Sequence, residues 1–276
     1  MRTTVLVLAV TVGAISGCQP MGHGAMMGHE ATDAGGPVLS EAGLAIPIRE
    51  GQTEAWRSAI IELTGPRYDE YAASRKRMGV TSQTTFLQRT PMGDFAVIHL
   101  TGPDVHAIFH QMSESKDPWD AKWRGLTLDL HGMDFAKGAD KMLSVEPAFS
   151  TESADLSGTR PYMFIAPVTD VAAFRALARD LMGARHGEYA RSRAELGIAR
   201  EAVFLETTAR GTVMVAYWLT RNPPASVAAL RTADDPFSLW LKGAATAIHQ
   251  MPLDRLPIDS NPLVGQYPRM QPGGQR

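Results

Sequence analysis

A polar stretch that carries acid, phenol and guanidinium groups occurs twice in the chain, as EYAASR at 70–75 and EYARSR at 188–193. On an α-helix, side chains three and four residues apart share a face. That face could bind an anionic or carbonyl-bearing small molecule, because arginine offers a fixed fork of hydrogen-bond donors. It could also brace the helix against a sheet through an Arg–Glu ion pair and inward-packed tyrosine and arginine. Both interpretations concern the same candidate residues, which are Arg67, Tyr71, Arg75, Arg185, Tyr189 and Arg193.

The two stretches belong to an internal duplication. Pairing each residue i with residue i+118 from Gly65 to Leu100 needs no gap and gives thirteen identical pairs among 36. A register kept over this length indicates two copies of one unit of roughly 100 residues. His99 and Tyr217 occupy equivalent positions on the third predicted strand, and they form a second pair of candidate site residues.

Each copy predicts the order strand, helix, strand, strand, helix, followed by a closing strand that the pattern places only loosely. Apolar residues at i, i+3, i+4 and i+7 form a stripe over 56–63 and again over 174–181. Two β-rich runs joined by PMG, or by ARG in the second copy, predict a hairpin. Asp-Pro pairs at 117–118 and 235–236 supply an N-cap and a first-turn proline for the last helix.

This order is the split βαβ plan. The wording RYDEYAASRKRMGV…FLQRTPMGD and RHGEYARSRAELGI…FLETTARG, with DPW or DPF and a late His-Gly or His-Gln, resembles an uncharacterised bacterial family of the dimeric α/β-barrel type. The resemblance covers the whole of each unit. It implies an α+β fold in which two ferredoxin-like βαββαβ repeats pack as a pseudo-dimeric α/β barrel. The broader superfamily includes antibiotic-biosynthesis monooxygenases, stress-responsive barrels and haem-handling enzymes. None of their catalytic patterns matches here residue by residue, so the resemblance implies a fold and no reaction.

The N-terminus combines a basic start, an apolar run over 5–15 and small residues before Cys18, the only cysteine of the chain. The run is too short to span a bilayer as a permanent helix. It resembles a bacterial lipoprotein signal peptide over 1–17 with lipidation, including palmitate, at Cys18; an ordinary secretory signal is the alternative. Gln19 resembles the sorting signal for the outer rather than the inner membrane of Gram-negative bacteria. We therefore expect a body tethered to membrane lipid in the cell envelope.

Composition gives the remaining boundaries. We predict a flexible Met-, His- and Gly-rich tether over 18–43, a first repeat over 44–145 and a linker over 146–160. A second repeat follows over 161–256, and an irregular tail over 257–276.

The charge and motif content exclude several function classes. A formal net charge of −2 gives no basic field, so we expect no nucleic-acid partner. The sequence contains no P-loop, G-x-G-x-x-G, H-E-x-x-H or G-x-S-x-G motif. We therefore predict no cofactor and assign no metal ligands within the repeats.

Three functional hypotheses stay open. The first is a lipid-anchored protein that binds a small molecule in a pseudo-dimeric barrel, with further pairing to a homo-oligomer left open. The second is a cofactor-independent monooxygenase-like or isomerase-like enzyme, in which His99, Tyr217 or the Arg/Tyr faces supply acid and base. The third is a copper-handling surface protein that uses Met and His side chains over 21–29 of the tether.

Overall fold

The predicted order of strands and helices is present in both repeats of the computed structural model, which describes residues 39–137, 144–208, 210–258 and 261–269. All of these residues belong to the unit Pro37–Arg276. The first repeat contains β1 (Glu41–Pro47), α1 (Thr53–Thr64), α2 (Tyr68–Arg77), β2 (Ser82–Thr90), β3 (Gly93–Thr101), α3 (Val105–Glu114), α4 (Pro118–His131), a 3₁₀ turn (Phe135–Lys137) and β4 (Val145–Glu152). The second contains β5 (Arg160–Pro167), α5 (Val171–Met182), α6 (His186–Glu195), β6 (Ile198–Thr208), β7 (Gly211–Thr220), α7 (Pro223–Thr232), α8 (Pro236–His249), a 3₁₀ turn (Leu253–Arg255) and β8 (Leu263–Tyr267).

The first helical segment of each repeat breaks at a glycine. A Cβ at Gly65 would lie 2.6 Å from the carbonyl oxygen of Ile61, and one at Gly183 would lie 2.9 Å from that of Arg179. No other residue fits this close approach without a shift of the backbone. The repeated polar stretch therefore lies in a separate helix, α2 or α6.

The predicted N-caps of the last helices are confirmed. The Asp117 side chain accepts a hydrogen bond from the backbone N–H of Trp119, and Asp235 accepts from Phe237 and Ser238. Proline occupies the first turn of both helices, where its missing N–H costs no intrahelical bond.

The described strands form two four-stranded antiparallel sheets, in the orders β1-β3-β2-β8 and β4-β6-β7-β5. Each repeat thus gives its last strand to the sheet of the other repeat. A self-contained βαββαβ unit would keep that strand in its own sheet. The exchange covers the outer edges of β2 and β6, which would otherwise present unpaired backbone groups.

The exchanged strands change the expected segment boundaries. β4 occupies the first part of 146–160, which the sequence predicts as a linker. β8 lies within 257–276, which the sequence predicts as irregular. Both strands are short or partly exposed, so they carry too little apolar alternation to be recognised as strands.

One face of each sheet contacts the other sheet. A Cβ at Gly43 of β1 would lie 2.6 Å from the Phe204 ring, so the glycine permits the close approach of β1 to β6. The Gln88 amide of β2 donates to the carbonyl oxygen of Ile165 at 3.0 Å and accepts from the N–H of the same residue at 2.6 Å. In the opposite direction, the Glu206 carboxyl accepts a hydrogen bond from the backbone N–H of Ala45.

The apolar core is continuous in the second repeat and divided in the first. One cluster unites the contacting sheet faces with the helix-covered face of the second repeat. The helix-covered face of the first repeat instead carries two separate clusters, one around Leu44, Leu100 and Phe135 and the other around Trp56 and Leu63. The division leaves space between sheet and helices in the first repeat.

Candidate functional site

A cavity lies between the sheet and the helices of the first repeat. Its volume is about 70 Å³, which is several times the space that one water needs and well below that of pockets for drug-sized ligands. Most lining side chains are aliphatic or aromatic, and the polar ones are Arg75, Gln83, Thr85, Thr127 and His131. This composition suits a small, largely apolar molecule with one polar group.

The secondary structure explains which side chains form the walls. Alternation along a strand sends every second side chain to the same face, and on β1 and β3 this places Leu44, Ile46, Ile98 and Leu100 under the cavity. The helices supply the opposite wall, including Trp123 of α4. None of the four sheet side chains is aromatic, so the space above them stays open.

Arg75 brings a buried positive charge to the cavity wall. It lies in the last turn of α2, and only 4% of the residue is exposed. Its guanidinium donates to neutral acceptors, the side-chain oxygens of Gln83 at 3.3 Å and Ser74 at 3.2 Å, and lies 3.6 Å from the sulfur of Met78. The Nε atom has no hydrogen-bond partner among the described residues. Burial lowers the pKa of Arg75, although a guanidinium keeps its proton in proteins.

The surroundings compensate this charge only in part. Asp120 acts on Arg75 through space, but its carboxylate accepts hydrogen bonds from Ser74 and Ser115 at 2.6 Å and forms an ion pair with Arg77 at 3.2 Å. The Tyr71 ring centroid lies 5.2 Å from the Arg75 guanidinium carbon, and the Trp123 centroid lies at 5.9 Å. A desolvated cation–π contact contributes on the order of 2 kcal/mol, which is less than the roughly 3 to 5 kcal/mol that a buried charge without its ion-pair partner costs. Arg75 is therefore a buried cation whose nearby acid is shared with another arginine.

Tyr71 packs behind Arg75 and does not line the cavity. Burial raises the pKa of Tyr71 to about 12, so the phenol keeps its proton at neutral pH. The position of Tyr71 supports the interpretation of the repeated stretch as a structural brace. The position of Arg75 is consistent with a brace and with a ligand-binding face.

His131 also lines the cavity, and its ring orientation follows from one contact. Its Nδ1 lies 2.9 Å from the carbonyl oxygen of Pro47, which can only accept, so Nδ1 carries a proton. Burial lowers the pKa of His131, which favours the neutral ring with Nε2 unprotonated. His249 makes the same contact with Pro167 at 2.6 Å. The contact therefore joins the last helix to the first strand in both repeats. Of the two histidines, only His131 also lines this cavity.

The second repeat places a carboxylate beside the buried arginine at the equivalent position. Glu201 accepts hydrogen bonds from the Tyr189 hydroxyl at 2.7 Å and from the indole N–H of Trp218 at 2.5 Å. Its carboxylate oxygen lies 3.6 Å from the Nε of Arg193, and both charged side chains are at least 94% buried. The Phe164 ring packs edge-on against Trp218 with centroids 4.9 Å apart. Burial, and next the charge of Glu201, raise the pKa of Tyr189 well above its ordinary value.

Two replacements distinguish the repeats. In the i+118 register, Gln83 corresponds to Glu201 and Leu100 corresponds to Trp218. The first replacement supplies a carboxylate to the buried arginine of the second repeat, and the second fills space that Leu100 leaves open. These four residues belong to no recognisable sequence motif, although the i+118 register sets each pair side by side.

Arg67 and Arg185 lie at the surface, away from the cavity. Arg67 pairs with Glu70 at 2.5 Å, and Arg185 pairs with Glu188 at 3.5 Å. The Arg185 guanidinium also lies 4.0 Å from the ring centroid of Trp240. These contacts match the brace interpretation in both repeats.

His99 and Tyr217 meet between the two sheets. Their rings stack with centroids 3.7 Å apart and an interplanar angle of 9°. The Nε2 of His99 lies 2.5 Å from the carboxylate of Glu41, which also pairs with Arg200 at 2.6 Å. Neither ring lines the cavity of the first repeat.

The electrostatics of this stack favour a neutral histidine. Burial lowers the pKa of His99, against the opposing effect of Glu41. Burial alone would raise the pKa of Glu41, but His99 and Arg200 lower it overall. Since burial keeps His99 neutral, we assign Arg200 as the counter-ion of Glu41. Burial also raises the pKa of Tyr217 to about 12. The stack joins the sheets through two uncharged rings.

Several predictions concern residues outside the described ranges. Cys18 and the tether segment 21–29 both lie there. Within the described ranges, no group of three or more His, Cys, Asp or Glu side chains could hold a metal ion. No helix in that part of the chain is long and apolar enough to cross a membrane.

Comparison with known proteins gave two solved structures of distant similarity. One is a provisionally named monooxygenase from Fusobacterium nucleatum subsp. nucleatum, with a TM-score of 0.43 and 11% identity, covering 83% of this chain and 97% of the other. The second is an anthrone oxidase-like protein, with a TM-score of 0.45 and 13% identity, covering 77% of this chain and 90% of the other. No protein-family model matches the chain, and the curated proteins gave no match. Similarity this low assigns no activity to the chain.

Proposed function

We propose that this protein is an extracytoplasmic lipoprotein, tethered to membrane lipid through Cys18, that binds a small molecule in the cavity of its first repeat. The tether rests on the signal-peptide pattern before Cys18. The binding function rests on one observation, an apolar cavity whose wall contains the buried guanidinium of Arg75. A polar group of the ligand, anionic or carbonyl, would accept hydrogen bonds from that guanidinium.

The proposal includes the arrangement of the two repeats as a pseudo-dimeric α/β barrel. The exchange of β4 and β8 and the contacts between the sheets support this arrangement. In it, the first repeat has the binding site, and the second repeat has the same scaffold with the site closed by Trp218 and Glu201. One ligand per chain follows from this asymmetry.

Native mass spectrometry of the full chain, purified gently from its own host, tests the binding function. We expect one small molecule bound to the parent chain and none bound to Leu100→Trp, because the indole takes the place that Trp218 takes in the second repeat. Leu128→Trp is the matched control, since Leu128 is exposed on α4 and does not line the cavity. A ligand retained equally by all three chains would place the site elsewhere, and an empty parent chain would contradict the binding function.

A monooxygenase-like or isomerase-like enzyme is the second candidate. It is favoured by His131, which lines the same cavity with its proton on Nδ1 and Nε2 available as a base. The test adds the retained molecule to the parent chain and to His131→Asn under air and follows it by NMR. Conversion by the parent alone supports an enzyme, whereas an unchanged molecule in both samples rejects it.

A further inference from the structure

The second repeat shows which groups are missing beside the cavity of the first repeat. The two repeats share the buried arginine and tyrosine, Arg75 with Tyr71 and Arg193 with Tyr189. A buried cation without a paired anion is costly, because both its hydration and its counter-ion are lost. In the second repeat the cost is offset within the chain by the Glu201 carboxylate.

The first repeat has no carboxylate at that position. Gln83 offers one neutral oxygen to Arg75. The Nε atoms of Arg75 and Arg193 both lack a hydrogen-bond partner among the described residues, so the difference between the repeats is the carboxylate that lies beside Arg193. Asp120 supplies a partial countercharge, but it is held by two serines and by Arg77. One negative charge placed beside Arg75 would complete the arrangement that the second repeat contains.

The first repeat also lacks the ring that fills the second. Trp218 is 1% exposed and lies between Glu201, which accepts its indole N–H, and the ring of Phe164. Leu100 occupies the equivalent position in the cavity wall. A flat ring bound above Leu100 would restore the packing that Trp218 gives, and Trp123 would be an aromatic neighbour.

We propose that the ligand of the first repeat is a compact aromatic carboxylate, whose carboxylate pairs with Arg75 where Glu201 pairs with Arg193 and whose ring lies where Trp218 lies. This inference rests on the proposed binding function and names its ligand class. The cavity volume of about 70 Å³ is below the roughly 150 Å³ of a cavity that binds benzene, so a single ring enters only if lining side chains move, and larger ring systems are excluded. Within the chain, Gln83 then determines specificity, because an acid at this position would replace the carboxylate of the ligand.

Benzoate and its neutral isostere benzamide distinguish charge from shape. The full chain is titrated with each compound by isothermal calorimetry. We expect benzoate to bind at least tenfold more tightly than benzamide. In Gln83→Glu, benzoate affinity should fall at least tenfold while benzamide affinity changes less than about twofold. Each tenfold difference in affinity corresponds to about 1.4 kcal/mol, which we attribute to the ion pair between the ligand carboxylate and Arg75.

Further variants keep the test independent of folding defects. Gln111→Glu adds the same charge at an exposed site on α3 and should leave both affinities unchanged. Arg75→Met removes the cation with little change in volume and should make the two affinities equal. Leu100→Trp should abolish binding of both compounds. Thermal unfolding of each variant confirms that it is folded.

The outcomes separate the ligand class from the binding function. Equal affinities for benzoate and benzamide in the parent chain, or benzoate binding that Gln83→Glu leaves intact, would overturn the carboxylate inference while cavity binding stands. Binding of both compounds that survives Leu100→Trp would overturn the cavity itself. A parent chain that binds neither compound overturns the aromatic carboxylate, and native mass spectrometry then decides the binding function separately.

Discussion

Arg75 and Arg193 show how one residue type takes two roles in duplicated surroundings. Both are buried in the last turn of equivalent helices and lie near the ring of a buried tyrosine. Only Arg193 has a carboxylate partner on the neighbouring strand. The repeated polar stretch is therefore a structural brace in both repeats, and in the first repeat it also supplies a wall of the candidate site.

Glu201→Gln should destabilise the chain. The change leaves Arg193 without its anion, and removal of one partner of a buried ion pair typically costs about 3 to 5 kcal/mol. Urea unfolding measures the loss, with Glu195→Gln, an exposed glutamate on α6, as the control. A loss below about 1 kcal/mol would mean that Arg193 does not depend on Glu201, and the comparison between the repeats would lose its physical basis.

Glu206→Gln should remove a pH dependence of stability. Burial between the sheets raises the pKa of Glu206 to about 8, whereas a glutamate in an unfolded chain titrates near pH 4.3. Between these values the folded chain holds a proton that the unfolded chain has released. The parent chain therefore loses stability as pH rises from about 4.3 to 8 and changes little through this group above that range.

The glutamine variant lacks this dependence and should be more stable than the parent at pH 9, by a few kcal/mol at most. Gln88 shows that glutamine can dock on a strand backbone of the other sheet. Chemical denaturation at pH 5, 7 and 9 measures the effect, with exposed Glu50→Gln as the control. Parallel stability profiles of parent and Glu206→Gln would refute a neutral buried carboxyl.

At the residue level, sequence identified Arg75 but not the cavity beside it. The i+118 register places Gln83 against Glu201 and Leu100 against Trp218, yet such a register shows a difference in type and not whether space opens. Whether a cavity forms depends on the summed volumes of side chains from three strands, four helices and a 3₁₀ turn. His99 and Tyr217 were equally visible as a pair, but their stacking requires the contact between sheets, which no local pattern contains.

At the level of elements, local sequence patterns predicted the helices and where they begin. Apolar periodicity predicted α1 and α5, and Asp-Pro pairs predicted the starts of α4 and α8. The exchange of β4 and β8 was not predicted, because a strand's partner lies far away in sequence and these edge strands carry little alternation.

A chain that ends at Ile258 should be markedly less stable than the parent. It lacks β8, which leaves the edge of β2 unpaired. It also lacks Tyr267, whose ring centroid lies 6.0 Å from that of Tyr71. We expect a fall in Tm of at least roughly 5 °C, since about 1 kcal/mol shifts a chain of this size by 2 to 4 °C. Calorimetry measures it, with a chain ending at Arg269, which retains β8, as the control. An unchanged Tm would mean that β8 contributes nothing to the first sheet.

At the scale of the whole molecule, duplication gives one repeat that contains a cavity and one repeat in which the equivalent space is filled. The sheets hold each other through exchanged strands and direct contacts, so either repeat can change its helix-covered face without losing the common core. In the second repeat large rings and an internal ion pair fill that face, and in the first it remains divided around the cavity. The proposed binding site exists because of this asymmetry between the repeats.

The most direct test is a crystal structure of the full chain soaked with benzoate. We expect ligand density in the first repeat alone, above Leu100, with the carboxylate within hydrogen-bond distance of the Arg75 guanidinium. Density beside the stacked rings of His99 and Tyr217, or beside Arg193 in the second repeat, would contradict it.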